Sequence, residues 1–105
     1  MPDLMALLAT PAPFRAWLTR QSAALAVGKT QSPDQCPLAT FLRAAGHDDV
    51  LVGRWELSLQ ERLFPLPLWA SHFVQQVDGL GITGTAIRRR KALHLLQHPE
   101  GTLAA

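Results

Sequence analysis

Cysteine is almost absent from this chain: Cys36 is the one thiol in 105 residues. An internal disulfide framework is therefore excluded, and a reducing, cytoplasmic setting is expected. Long apolar runs are missing too. No stretch reaches the roughly 18 consecutive apolar residues that a membrane-spanning helix needs. The first residues, MPDLMALLATPAP, carry Asp3 and no basic segment ahead of a short apolar stretch, so no signal peptide is expected. Acids are scarce at one end. Residues 1 to 78 hold six basic residues and seven acids, whereas residues 79 to 105 hold Arg88, Arg89, Arg90 and Lys91 against Glu100 alone. The net charge of +2 thus conceals a basic C-terminal end.

What is present is apolar. With 48% hydrophobic and 17% charged residues, the chain has the composition of one compact domain spanning 1–105, with 98–105 as a frayed tail. Asp3 can cap a first helix through Ala9, and Thr10-Pro11 offers the start of a second, in which Phe14, Trp17 and Leu18, then Ala24 and Leu25, recur at helical spacing. A third helix carries Leu38, Phe41, Leu42 and Ala45 inward, begins from Asp34 as N-cap in preference to Ser32, and ends at Gly46. Residues 50–57 alternate with period two and read as a strand. Pro65 and Pro67 then introduce a fourth helix, in which Leu66, Trp69, Ala70, Phe73, Val74 and Val77 follow the helical template. Thr83 or Thr85 caps a fifth, over 85–97, packed through Ile82, Ala86, Leu93 and Leu96. The expected fold is mainly α (α+β), about five short helices with a small two-stranded β element, around a core of Phe14, Trp17, Leu18, Leu38, Phe41, Leu42, Trp69, Phe73, Val74 and Val77.

Two stretches spell phosphate-binding signatures. AALAVGKT (23–30) has the outline of a phosphate loop, but the chain continues QSPDQCP, and those prolines forbid the helix that must begin at the lysine. The tetrad Ala26-Val27-Gly28-Lys29 instead matches Leu51-Val52-Gly53-Arg54, and the two could pair as a ribbon in which each glycine eases twist or close packing. Alternatively Gly28 terminates the second helix with Lys29 at its negative end. GLGITG (79–84) follows a helix, not a strand, and only 21 residues remain after it, too few for a dinucleotide-binding unit. No nucleotide and no other cofactor is expected.

The other candidates are sparse. Cys36 near a helix start is a candidate for a lowered thiol pKa, on a face with Thr40, Arg43 and His47, although no acid or oxyanion device is tied to it by spacing. His94 and His98 stand at i, i+4, a spacing that can seat a metal, without a third ligand marked; they also suit the negative end of a helix. No catalytic set and no metal site is assigned, and no enzymatic activity on a small-molecule substrate is expected. The run Arg88 to Lys91 points all round a helix, because successive residues are rotated by about 100°. Arg89 falls near the middle of the inward face and must snorkel, pair with an acid or contact a partner.

The segment Leu80-Gly81-Ile82-Thr83-Gly84-Thr85-Ala86-Ile87-Arg88-Arg89-Arg90 resembles the turn and recognition helix of bacterial nucleoid-type helix-turn-helix proteins. The resemblance implies that Thr83, Gly84, Thr85, Arg88 and Arg89 face a major groove, supported by the helix of Trp69 to Val77. It departs from that pattern at Val77, where a small alanine is usual, and at Arg90, where a buried aliphatic residue is usual. Two functions are therefore expected: a small interaction or regulatory module that docks on a macromolecular partner, or a DNA or RNA binder using the basic helix 85–97. In both, the partner surface is anionic and contacts Thr83, Thr85, Arg88, Arg89, Arg90 and Lys91.

Overall fold

A computed structural model of the chain describes residues 4–80 and 84–97. Among the described residues, five helices and two small antiparallel sheets form one α+β body. Helices α1 (Leu4–Leu8) and α2 (Ala12–Thr19) are joined through Thr10, whose hydroxyl accepts the Ala12 N–H at 3.4 Å, with Pro11 at the N-cap. Helix α2 ends at Thr19, well before the expected Leu25, which is exposed. The residues beyond it become strand β1 (Ala26–Lys29), so Gly28 does not terminate a helix.

Both tetrads, 26–29 and 51–54, contribute strands, but not to each other. Strand β1 pairs with β5 (Ala86–Arg88), and β2 (Val50–Val52) pairs with β3 (Glu56–Leu59). The stretch 50–57, expected as one strand, is broken at 53–55, where Gly53 N–H donates to the Glu56 carbonyl at 2.8 Å, and folds back on itself as two antiparallel strands; a second hairpin follows that sequence periodicity does not announce either. Strand β3 turns at Gln60-Glu61 and returns as β4 (Arg62–Pro65), making a three-stranded meander in the order β2-β3-β4. Val50, Val52 and Leu57 are buried beneath this sheet.

Helix α3 (Pro37–Ala44) begins with proline at the first helical position, where its missing N–H costs nothing. Its N-cap is Cys36 and not Asp34: the sulfur accepts the Ala39 N–H at 3.4 Å. The Asp34 carbonyl instead receives the Arg43 guanidinium. At the other end Gly46, with φ of 104°, lets His47 N–H reach the Leu42 carbonyl and Gly46 N–H the Arg43 carbonyl, both at 3.0 Å, the paired bonds of a Schellman stop. Helix α4 (Leu68–Asp78) buries Ala70, Phe73, Val74 and Val77, as its spacing requires.

Helix α5 (Arg89–Gln97) starts four residues later than expected, because 86–88 are a strand. The change of period rotates the buried face. Ile87 is buried by strand alternation, Ala92 and Leu95 by the helix, while Ala86 is exposed and Leu93 and Leu96 are partly covered. Ile82 lies outside the described residues, as do His98 and the tail 98–105.

All ten residues expected in the core pack together, Trp17 and Trp69 at its margin. Phe14 is the hub: its ring centroid lies 5.0 Å from Phe73, 5.3 Å from Phe41 and 6.1 Å from both Trp17 and Trp69. Trp69 also donates its indole N–H to the Leu8 carbonyl at 2.8 Å, pinning α1 to α4.

Candidate functional site

The GKT of AALAVGKT is built into the β1–β5 ribbon. Lys29 N–H donates to the Gln35 carbonyl at 2.7 Å, and Thr30, fully buried, accepts the Thr85 N–H on its hydroxyl at 3.1 Å. A phosphate cradle needs those amides pointing at an anion ahead of a helix. Here they hold two strands and a loop together. Gly28 is required by close packing: a Cβ there would fall closest to Pro37 N and 2.7 Å from both the Cys36 carbonyl carbon and the Gln35 carbonyl oxygen. Opposite Gly28 the ladder slips by one residue, leaving Val27 as a bulge turned into the core.

Cys36 is buried, and burial pushes its thiol up to about 11, overriding the amide contacts from Ala39 and Leu38 that act in the opposite direction. The lowered pKa conceivable from its place at a helix start is reversed by desolvation. Among the described residues, no group of three or more histidine, cysteine or acidic side chains is placed so that it could hold a metal ion. No helix among them is long and apolar enough to cross a membrane.

The basic run divides by role. Arg89, expected in the middle of the inward face, is half-buried and donates its Nε–H to the Gln21 carbonyl at 3.1 Å. Snorkelling to a backbone carbonyl resolves its position without an acid. Arg88 lies on β5, and its guanidinium donates to the Ala24 carbonyl. Arg90 and Lys91 are exposed. Thr85 is tied to Thr30 by backbone and side-chain bonds, and Thr83 lies outside the described residues.

Two concavities flank the start of α5. One, of about 480 Å³, is an open surface lined by Ala86, Ile87, Arg88, Arg90, Lys91 and His94. The other, a cleft of about 420 Å³ between α4 and α5, brings His72, Gln75 and Gln76 opposite Lys91 and His94, with Leu80 and Leu95 beside them. Among the described residues neither is lined by an acid. Lys91 and His94 form the ridge between the two. The sequence marks the basic run but not this cleft, because its walls come from helices separated by residues 79–88.

The segment that resembles a helix-turn-helix is differently arranged where it is described. Residues 86–88 are extended, and the first amides of α5 are already engaged: Arg89 N–H donates to the Leu25 carbonyl at 2.8 Å and Arg90 N–H to the Ala23 carbonyl at 3.2 Å. Comparison of the chain with protein-family models, with curated proteins and with solved structures found no match.

Proposed function

We propose that this chain is a non-enzymatic docking module that engages an acidic surface of a protein partner through the start of α5. The observation that carries this reading is the convergence of Arg88, Arg90, Lys91 and His94 on one open concavity without a lining acid among the described residues. Such a surface attracts anions and orients their approach. Its shape favours protein over duplex. Groove readers present the N-terminal residues of a convex helix to base edges, whereas the N-terminal amides of α5 are donated to the 23–25 segment and the cations border a hollow. A hollow receives a projecting carboxylate.

The test is fluorescence anisotropy with a glutamate-rich peptide and with duplex DNA, each at two salt concentrations. Arg90→Glu with Lys91→Glu is the informative variant, because Arg88 also serves the ribbon through the Ala24 carbonyl. The expected result is peptide binding that weakens by roughly tenfold or more in the variant, with duplex binding weak throughout. Tight duplex binding with a steep salt slope would transfer the surface to nucleic acid. Equal binding by parent and variant would reduce the basic run to a solubilising helix end.

A further inference from the structure

Separate from the open face is the cleft on the other side of the Lys91–His94 ridge. On α4 and its C-cap, His72, Gln75, Gln76 and then Gly79 follow the spacing i, i+3, i+4, i+7 and so lie along one side of the helix. On α5, Lys91, His94 and Leu95 do the same. The walls therefore offer an ammonium, two imidazoles and two carboxamides around an apolar part formed by Leu80 and the buried Leu95. The nearest acid on α4, Asp78, accepts the Gln31 N–H at 3.0 Å and does not line the cleft. Gln75 is held in place by the Ser71 hydroxyl, to which its amide donates at 3.1 Å.

Volume selects the ligand class. At about 420 Å³ the cleft is far larger than an inorganic anion and within the ~300–1,000 Å³ range of sites for small organic ligands. Apolar area with several polar side chains and one permanent cation in the lining suits an amphipathic anion. We propose that the α4–α5 cleft binds an aliphatic group bearing a single carboxylate, with the carboxylate at Lys91 and the chain along Leu80 and Leu95. Two sources supply that chemistry, a free organic acid and the C-terminal residue of a polypeptide. The inference does not depend on the open face, since His72 and Gln75 line only the cleft and Arg90 only the open surface.

The experiment is titration of the intact chain, followed by ¹H–¹⁵N spectra and calorimetry, with octanoate, octanol, a leucine-terminated peptide and the same peptide as its C-terminal amide. Saturable shifts confined to residues 72–80 and 91–95 are expected with octanoate, and octanol should bind at least roughly tenfold more weakly. Peptide acid binding tighter than octanoate, and lost in the amide, assigns the site to a polypeptide terminus; octanoate binding with an inert peptide assigns it to a free acid. His72→Glu should weaken the carboxylate by roughly tenfold or more while Arg90→Glu leaves it unchanged. Equal binding of octanoate and octanol, or no saturable shift with either carboxylate, overturns the proposal. Those comparisons use the parent protein, so they decide the matter even if His72→Glu fails to fold. Loss of binding in Arg90→Glu with no effect of His72→Glu would place the anion on the open face and also overturn it.

Discussion

Gly28 shows how one residue determines the reading of a motif. Its missing Cβ leaves room for the backbone of Gln35 to Pro37 to pass against β1, and that contact seats α3 on the ribbon. Gly28→Ala places a methyl group against main-chain atoms that cannot rotate away. A loss of about 3 kcal/mol or more in urea unfolding is expected; an unchanged midpoint would show that the loop can retreat. Lys29, by contrast, is exposed and works through its backbone. Lys29→Ala should leave stability within about 0.5 kcal/mol of the parent, and calorimetry with magnesium and ATP should register no binding to either protein. Cys36 supplies a pH signature. Its folded pKa, raised from 9.0 to about 11 by burial, exceeds that of the exposed thiol, so the folded state holds the proton longer. The resulting stability is complete below pH 9 and is lost as pH rises to about 11, an effect on the order of 3 kcal/mol. Urea midpoints across that range should fall in the parent and fall less in Cys36→Ser, which removes the titrating group while retaining an N-cap acceptor.

Among the elements, legibility followed periodicity. Helices α3 and α4 carry apolar residues at steps of three and four, and both bury the faces that their spacing marks. The β3–β4 hairpin was hidden because its turn is Gln60-Glu61, two residues that favour helices, where asparagine and glycine would announce a turn. Both adopt positive φ, 51° and 69°, as a two-residue turn matched to strand twist demands. The double change Gln60→Asn with Glu61→Gly should relieve that conformation and stabilise the protein by about 1 kcal/mol, read as a raised urea midpoint. A lowered midpoint would mean that contacts of the Gln60 or Glu61 side chain outweigh the backbone term. The fifth helix was legible in existence but not in phase. Ala86, Arg89, Leu93 and Leu96 fit a helical stripe by spacing, and the stripe dissolves because Ile87 is claimed by β5 first. For the same reason the basic run could be read as charge but not as a surface: Arg88 belongs to a strand, Arg89 to the Gln21 carbonyl, and Arg90 and Lys91 to the exposed face.

Across the whole molecule, the β1–β5 ribbon joins residues 26–29 to residues 86–88, so α3, the meander and α4 all lie in the chain between its strands. Closing a loop of that length has an entropic cost that local contacts at the junction must offset. Thr30 is one such junction. Its N–H donates to the Thr85 carbonyl at 2.8 Å, its carbonyl accepts from Gly84 at 2.9 Å, and its buried hydroxyl accepts from Thr85 at 3.1 Å. Thr30→Val keeps the shape and the two backbone bonds but removes the hydroxyl, leaving the Thr85 N–H without that acceptor. The expected cost is about 1–3 kcal/mol. Where that cost appears tests how the molecule is organised. If the ribbon opens as a unit of its own, hydrogen exchange should accelerate together at 26–30 and 84–89 while Val50, Val52 and Leu57 in the meander keep their protection. Affinity for the glutamate-rich peptide should then fall as well, because the ribbon fixes the start of α5 from which Arg90 and Lys91 project. Equal acceleration in ribbon and meander would instead make the fold one cooperative unit, with Thr30 contributing to global stability alone. Unchanged protection at 84–89 would show that the two backbone bonds suffice to hold β5 without the hydroxyl.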